Sequence, residues 1–270
     1  MKTKVNDSVL DFYEHLSESY HLIWKDWNAD VKWQAKVLDS IIRKATNKQP
    51  QRLRVHDCSC GIGTQAIGLA LRGYRVYATD ISPKSVARAQ KNAADLGAML
   101  TFGVADFRCL ERTVKHTFDV VLSCDNSLPH LLTQTELKMA VESIYRVLDP
   151  GGIFIASIRD YDLMKRERRS GRLPRKSRDG DGERIYFQTW DWSLDGTTYA
   201  VEFFILQNKG TGWLPPISAK TRYRAVQRRE LTEALSRIGF ERIEWLLGED
   251  NPYYQPLLIA RKPPLAGTAC

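Results

Sequence analysis

The sequence predicts an α/β protein built on a doubly wound, mostly parallel sheet, and three observations carry that prediction. Short apolar runs near residues 53–59, 75–79, 100–105, 118–123 and 152–158 alternate with helical patterns at 64–71, 83–96 and 133–148. That rhythm is the signature of parallel strands joined by crossover helices. The run Val120-Val121-Leu122 is continuously apolar, as a strand covered on both faces must be. Finally, 270 residues with 43% hydrophobic content are enough to bury one large core without staples.

The elements follow in order. Residues 7–46 read as helical, with Phe12, Tyr13, Tyr20, Trp24, Trp27 and Trp33 spread along them. Lys48-Gln49-Pro50-Gln51 breaks the pattern. Pro83 suits the first turn of its helix, and Asp149-Pro150-Gly151-Gly152 ends the 133–148 helix. Beyond Asp160 the rhythm changes. Residues 161–184 are basic and interrupted by Gly, Pro and Ser, which predicts a long loop. Runs at 184–192 and 197–207 form a hairpin about Leu194-Asp195-Gly196, an Asp-Gly turn. A strand at 218–226, a helix at 229–238 ended by Gly239, and strands near 240–247 and 257–262 follow. The expected division is an N-terminal helical segment (1–50), a core (51–160), an inserted loop and β-rich segment (161–227), a C-terminal part of the core (228–262) and a tail (263–270). No internal repeat is visible.

Composition narrows the function classes. The formal charge is +8, yet residues 165–178 alone hold eight Lys or Arg against Glu167. The basicity is one local run, which weakens a whole-protein nucleic-acid reading and leaves a local one open. No apolar run approaches the ~20 residues of a membrane helix, and residues 1–11 lack the apolar stretch of a secretion signal. Five scattered cysteines, Cys58, Cys60, Cys109, Cys124 and Cys270, read as reduced and intracellular, hence cytoplasmic. Cys58-Ser59-Cys60 has a one-residue spacer and no second ligand cluster, so no metal is expected.

The chemistry concentrates at Asp57-Cys58-Ser59-Cys60-Gly61-Ile62-Gly63-Thr64-Gln65-Ala66, a strand-to-helix junction. Gly61 and Gly63 let the backbone turn and approach a ligand, and the helix start offers free N–H groups. Asp80 ends the next strand, where a carboxylate can accept both hydroxyls of a ribose; capping the helix at Pro83 is its bland alternative, served equally by Ser82. Asp106 ends the third strand, where it can meet an adenine amino group while Phe107 packs on the ring. The loop fits both a nicotinamide dinucleotide and S-adenosylmethionine. Acids after two strands, plus the aromatic N-terminal segment, favour the methyl donor.

At these residues the chain resembles the class I S-adenosylmethionine-dependent methyltransferases, and more closely the glycine and glycine/sarcosine N-methyltransferases. The likeness is carried by the glycine loop, by Asn126-Ser127-Leu128-Pro129-His130 after the fourth strand (N-S-x-x-H in the family) and by Arg159-Asp160-Tyr161-Asp162 after the fifth (R-N-Y-D). Tyr20-His21-Leu22-Ile23-Trp24-Lys25-Asp26-Trp27 and the 223–248 stretch are also similar, so the likeness spans roughly 12–262. It implies a Rossmann-like methyltransferase sheet with an N-terminal helical lid and an inserted β-rich substrate segment. The implied cofactor is S-adenosyl-L-methionine, leaving S-adenosyl-L-homocysteine, and the implied substrate is a small amino acid or amine. The cofactor-binding candidates are then Tyr20, Lys32, Ser59, Cys60, Gly61, Gly63, Asp80, Ile81, Asp106, Phe107, Cys124 and His130. Lys32 is included because Trp33-Gln34 stands where the family branch has Arg-Gln, whose arginine holds the donor's carboxylate.

Methyl transfer to an amine is an in-line displacement that needs alignment and desolvation more than covalent catalysis. An amino-acid substrate brings a carboxylate to anchor. Arg159, at a strand end where doubly wound sheets bind ligands, can clamp it bidentately; a salt bridge to Asp160 or Asp162 is the alternative. Asn126 can position the substrate, and Tyr13, Tyr20 and Tyr186 can ring the sulfonium and amine. No general base is assigned. Rival readings are a methyltransferase of another small molecule or of RNA, a non-catalytic adenosine-ligand binding protein, and a dinucleotide oxidoreductase. The run at 165–178 has no aromatic for base stacking, and a solvated loop is its plain reading.

Overall fold

The computed structural model describes residues 7–180 and 182–265; residues 1–6 and the tail end 266–270, with Cys270, lie outside the described residues. The chain opens with α1 (Asp7–Leu16), a 3-10 turn at Tyr20–Ile23 and α2 (Trp27–Thr46). The core then runs β1 (Arg54–Asp57), α3 (Thr64–Leu71), β2 (Arg75–Asp80), α4 (Pro83–Asp95), β3 (Thr101–Val104), β4 (Phe118–Ser123), α5 (Gln134–Val147), β5 (Leu148–Ser157). After these come α6 (Tyr161–Glu167), β6 (Gly171–Asp179), β7 (Gly182–Trp192), β8 (Thr198–Asn208), β9 (Ile217–Arg224), α7 (Arg228–Ile238), β10 (Glu241–Leu246) and β11 (Leu257–Arg261).

Seven strands form one sheet in the order β10-β11-β5-β4-β1-β2-β3. The strands from β5 to β3 are parallel, while β11 runs antiparallel to both β5 and β10. Within β4 the side chains alternate between two cores. Val121 faces the layer with α5 and α7, whereas Val120 and Leu122 face the layer with α2 and α3. All three are fully buried, which is why the run is apolar at every position.

Two expectations about the N-terminal segment need correction. Residues 7–46 are not one helical segment: the chain breaks after Ile23, and Asp26 starts α2 by accepting from the Ala29 N–H at 3.0 Å. Nor is α2 a lid. Its Val31, Ala35, Leu38 and Ile42 are buried, and Gly68 lets it sit directly on α3, since a Cβ there would lie 2.6 Å from the Val31 carbonyl oxygen. The cleft is bordered from the N-terminal segment by α1 and the 3-10 turn, with α1 against β9 and α4, while α2 reaches the neighbouring cavity only through Asp30 and Trp33 near its start. The 133–148 helix ends where Asp149–Gly152 predicts, at Val147, and that stretch is the start of β5, which begins at Leu148 and pairs with β4 through a register shift.

The largest correction concerns residues 161–184. They form α6, capped by Asp160, and β6, the edge of a second, antiparallel sheet ordered β6-β7-β8-β9. An edge strand needs one partner only, so it tolerates proline and a charged outer face. Pro174, Arg172, Arg175 and Arg178 sit on this strand. This sheet stands beside the C-terminal ends of the core strands, where β9 meets the Leu128–His130 turn.

Candidate active site

The C-terminal ends of β1 to β4 open onto a cleft. The turn after β1 forms its floor. Gly63, at φ +96°, starts α3, and a Cβ there would come 2.6 Å from the Ile67 side chain. Gly61, at φ +52°, has open space in front of it, and its N–H donates to Asp80 at 2.9 Å. The other Asp80 oxygen accepts from Ser82 N–H, while Ser82 caps α4 through Ser85 N–H at 3.1 Å. Capping thus belongs to Ser82, and Asp80 ties the glycine turn to β2 while facing the cleft.

Ser59, Cys60, Gly61, Asp80, Ile81, Asp106, Phe107, Cys124 and His130 all line this cleft, with Tyr13, Tyr20 and Trp24 along its N-terminal side. Gly63 lies behind it as the helix start. Lys32 does not reach it: Val31, Gln34, Ala35 and Leu38 set the buried face of α2, which turns Lys32 to solvent. Asp106 lines the cleft but already accepts from the Arg108 guanidinium at 2.7 Å, and Arg108 also pairs with Glu136 at 2.8 Å.

Charge distinguishes the ligands this cleft fits. Four carboxylates line it, Asp80, Asp106, Asp125 and Glu136, against one cation, Arg108, which is tied to two of them. Burial pushes the pKa of Asp80 and Asp125 up, which a cation placed among them would reverse. A pyrophosphate would meet these acids, and the Gly61 N–H it would use is occupied by Asp80. A nucleoside carrying a sulfonium and an ammonium fits the same surroundings. Buried thiols Cys58, Cys60 and Cys124 are reduced and held above their ordinary pKa by burial. Among the described residues no cluster of three or more His, Cys, Asp or Glu is placed to hold a metal, and no helix is long and apolar enough to cross a membrane.

A second cavity, about 430 Å³, abuts the first; Tyr20, Trp24 and Asp125 line both. Arg159 and Asn126 line it, as does Tyr186, which does not reach the first. Tyr13 faces only the first cavity, so Tyr20 is the one candidate tyrosine common to the two. Arg159 is 7% exposed. It donates to Tyr199 Oη at 2.8 Å and Gln188 Oε1 at 3.1 Å, its Nε has no hydrogen-bond partner among the described residues, and its charge lies over the Trp190 and Tyr223 rings. Asp160 and Asp162 pair instead with Arg228, at 2.8 and 3.2 Å. Burial opposes the Arg159 charge, but the surrounding tyrosine oxygens, Tyr199 first, hold its pKa above the arginine value.

Asn126 Oδ1 accepts from the Arg159 N–H and from Tyr161 Oη, both at 3.0 Å, which leaves its buried Nδ2 able to donate. Asp125 and Asn126 both hold left-handed backbone, φ +57° and +71°. Non-glycine residues in that region cluster at ligand sites. His130 shares a hydrogen bond of 2.9 Å with Tyr13 Oη. Burial, then the charge of Arg159, lowers its pKa to about 3, so it is a neutral link between α1 and the turn after β4.

Several cavity residues escape sequence reasoning. Asp125 lies two residues past the fourth strand, much as Asp80 closes the second, so the same search for acids at strand ends would have found it. Arg108 and Glu136 carry no motif. Gln188, Tyr223, Arg172 and Arg175 come from the second sheet, whose β6 reads as a loop.

Comparison with known proteins agrees with this geometry. Residues 55–152 match the model of a methyltransferase domain. A glycine/sarcosine N-methyltransferase of Parasynechococcus marenigrum is 32% identical over 155 residues, 56% of this chain and 54% of that protein. One from Halorhodospira halochloris is 27% identical over 164 residues, 59% of each. The chain thus spans a little over half the length of these relatives. Among solved structures, the sugar N-methyltransferase KedS8 from Streptoalloteichus shares the fold at a TM-score of 0.71, with 18% identity, covering 90% of this chain and 92% of that one.

Proposed function

We propose that the chain is a class I S-adenosylmethionine-dependent methyltransferase related to the glycine/sarcosine N-methyltransferases it is similar to, and that it methylates the amine of glycine, sarcosine or a similar small amino acid. The observation that carries this reading is Arg159: a buried cation that, among the described residues, has an unpartnered Nε and no carboxylate of its own, facing a cavity that adjoins the donor cleft. Such a charge is expensive to bury alone, and a substrate carboxylate would complete it bidentately.

S-adenosylmethionine, when bound, supplies an electrophilic methyl on sulfur. In this reading Asp80 and the turn at 58–63 hold the adenosine end, with Ile81, Asp106 and Phe107 toward the base. Tyr20 and Trp24 close the wall shared by the two cavities and present ring faces to positive charge. Asp125, on that same wall, faces the acceptor ammonium, and Asn126 sets the Arg159 backbone. The N–C bond forms as the C–S bond breaks, and the amine proton leaves to solvent. Alignment of the two cavities is the chain's main contribution to the barrier.

Isotopically methyl-labelled S-adenosylmethionine tests this, incubated separately with glycine, sarcosine, dimethylglycine and bulk RNA. Label in sarcosine or dimethylglycine is expected. Label in RNA alone would overturn the amino-acid acceptor. Tight S-adenosylhomocysteine binding with no label anywhere would leave a non-catalytic adenosine-ligand binder, and NADH binding in its place an oxidoreductase.

A further inference from the structure

The second cavity holds more positive charge than a single carboxylate uses. Arg172 and Arg175, both from the edge strand β6, line it together with Arg159. None of the three pairs with a carboxylate among the described residues; Arg175 reaches only the Ile23 carbonyl oxygen at 3.4 Å and the Tyr186 ring. Their placement depends on a specific irregularity. Arg172 lies opposite Gln188 and Arg175 opposite Tyr186. Gln188 and Tyr186 are two apart on β7 and therefore share a face, the cavity face. Arg172 and Arg175 are three apart, which in a regular strand would put them on opposite faces. A register shift between them inserts one extra residue and returns both to the cavity. Bulges re-aim side chains in this way beside ligand sites. Against the three guanidiniums the cavity sets two carboxylates, Asp30 and Asp125. Its volume, about 430 Å³, falls within the range of ligand pockets (roughly 300–1,000 Å³) and leaves room for an acceptor larger than glycine.

Building on the methyl-transfer reading above, we infer that the acceptor is an α-amino acid bearing a second anionic group, a carboxylate or a phosphate, held by Arg172 and Arg175 while Arg159 takes the α-carboxylate. A neutral zwitterion leaves one positive charge of the cavity standing, whereas an acceptor of net −1 cancels it. The chemistry is unchanged: the amine nitrogen gains the methyl carbon, sulfur keeps the bonding pair, and the proton leaves to solvent.

The test begins with calorimetry of S-adenosylhomocysteine on the full chain, then titrates the loaded protein with glycine, L-aspartate, L-glutamate and O-phosphoserine. Label transfer from S-adenosylmethionine is measured on the same four amines and on RNA. An acidic acceptor is expected to bind and to exceed glycine in kcat/KM by about tenfold or more, the scale of one good ion pair; aspartate or glutamate against phosphoserine separates the two anions. R172Q and R175Q should each cut that acidic-to-glycine ratio about tenfold, with K176Q, whose lysine pairs with Glu183, as the unchanged control. S-adenosylhomocysteine binding with glycine preferred over the acidic amines, or with RNA alone labelled, overturns this inference and leaves the donor site standing. Absence of S-adenosylhomocysteine binding overturns both.

Discussion

A buried guanidinium without a carboxylate costs several kcal/mol to desolvate, and Arg159 sits in that position. Its neighbours do not depend on it. Tyr199 Oη also meets Tyr161 Oη at 3.2 Å, and Gln188 Oε1 also accepts from Trp190 Nε1 at 3.0 Å. Replacing the charge with an apolar side chain of similar length should therefore spare the fold while removing the anchor. Arg159→Met is expected to leave Tm unchanged or raise it by a few degrees, since such replacements are neutral or stabilising by about 1–4 kcal/mol. The same variant should lose roughly 100-fold or more in acceptor kcat/KM, about 3 kcal/mol. Calorimetric melting and steady-state kinetics on one preparation decide this. A Tm drop of many degrees would mean that the arginine holds the site together and is not held ready for a substrate.

At the scale of elements, the glycine turn separates folding from binding. Gly63 combines a left-handed φ with a filled Cβ position, and Gly61 combines one with open space. Gly63→Ala must strain the backbone and move Ile67, so it should cost about 2 kcal/mol or more, a Tm drop of roughly 4–8 °C. Gly61→Ala should cost about 1 kcal/mol yet weaken S-adenosylhomocysteine binding, because its new methyl points into the cleft. Melting and calorimetry on both variants check the contrast; equal Tm losses with equal affinities would refute it. What was legible in the sequence follows the same division. Thr64–Leu71 and Phe118–Ser123 were readable to the residue, because a glycine start and an all-apolar run are local signals. Asp80 was readable as a cleft-facing acid for the same reason. The strand β6 was not, since its pairing partner supplies the order that its own Gly, Pro and Arg residues deny. With β6 hidden, the placement of Arg172 and Arg175 could not be seen. The exposure of Lys32 followed from the inward face of α2, which needed the helix to be recognised as a core layer.

For the whole molecule, buried titratable groups set opposing limits on the stable pH range. His56, stacked on Tyr77 and near Phe118, and His130 are both held neutral by burial, with pKa values of about 3 against 6.5. Below about pH 6.5 the unfolded chain takes up protons that the fold refuses, so these two remove stability as pH falls. Asp57 has the opposite sign. Burial raises it to about 8 from 3.8, so the fold keeps a proton that the unfolded chain has lost, and stability falls as pH rises across that interval. Between about pH 4 and 6.5 the contributions oppose one another; from about 6.5 to 8 the Asp57 effect stands without the histidines. Asp57→Asn mimics the protonated acid at nearly constant shape. In the ligand-free protein it should flatten the loss of stability between about pH 6.5 and 8 by up to about 1.4 kcal/mol per pH unit. By the same sign it should steepen the loss on the acid side, because the histidines would then act with less opposition. Urea unfolding of the parent and the variant at about pH 5, 6.5 and 8 reads both limbs, and parallel curves would show that Asp57 is ionised in the fold and that the cleft floor is wetter than its burial implies.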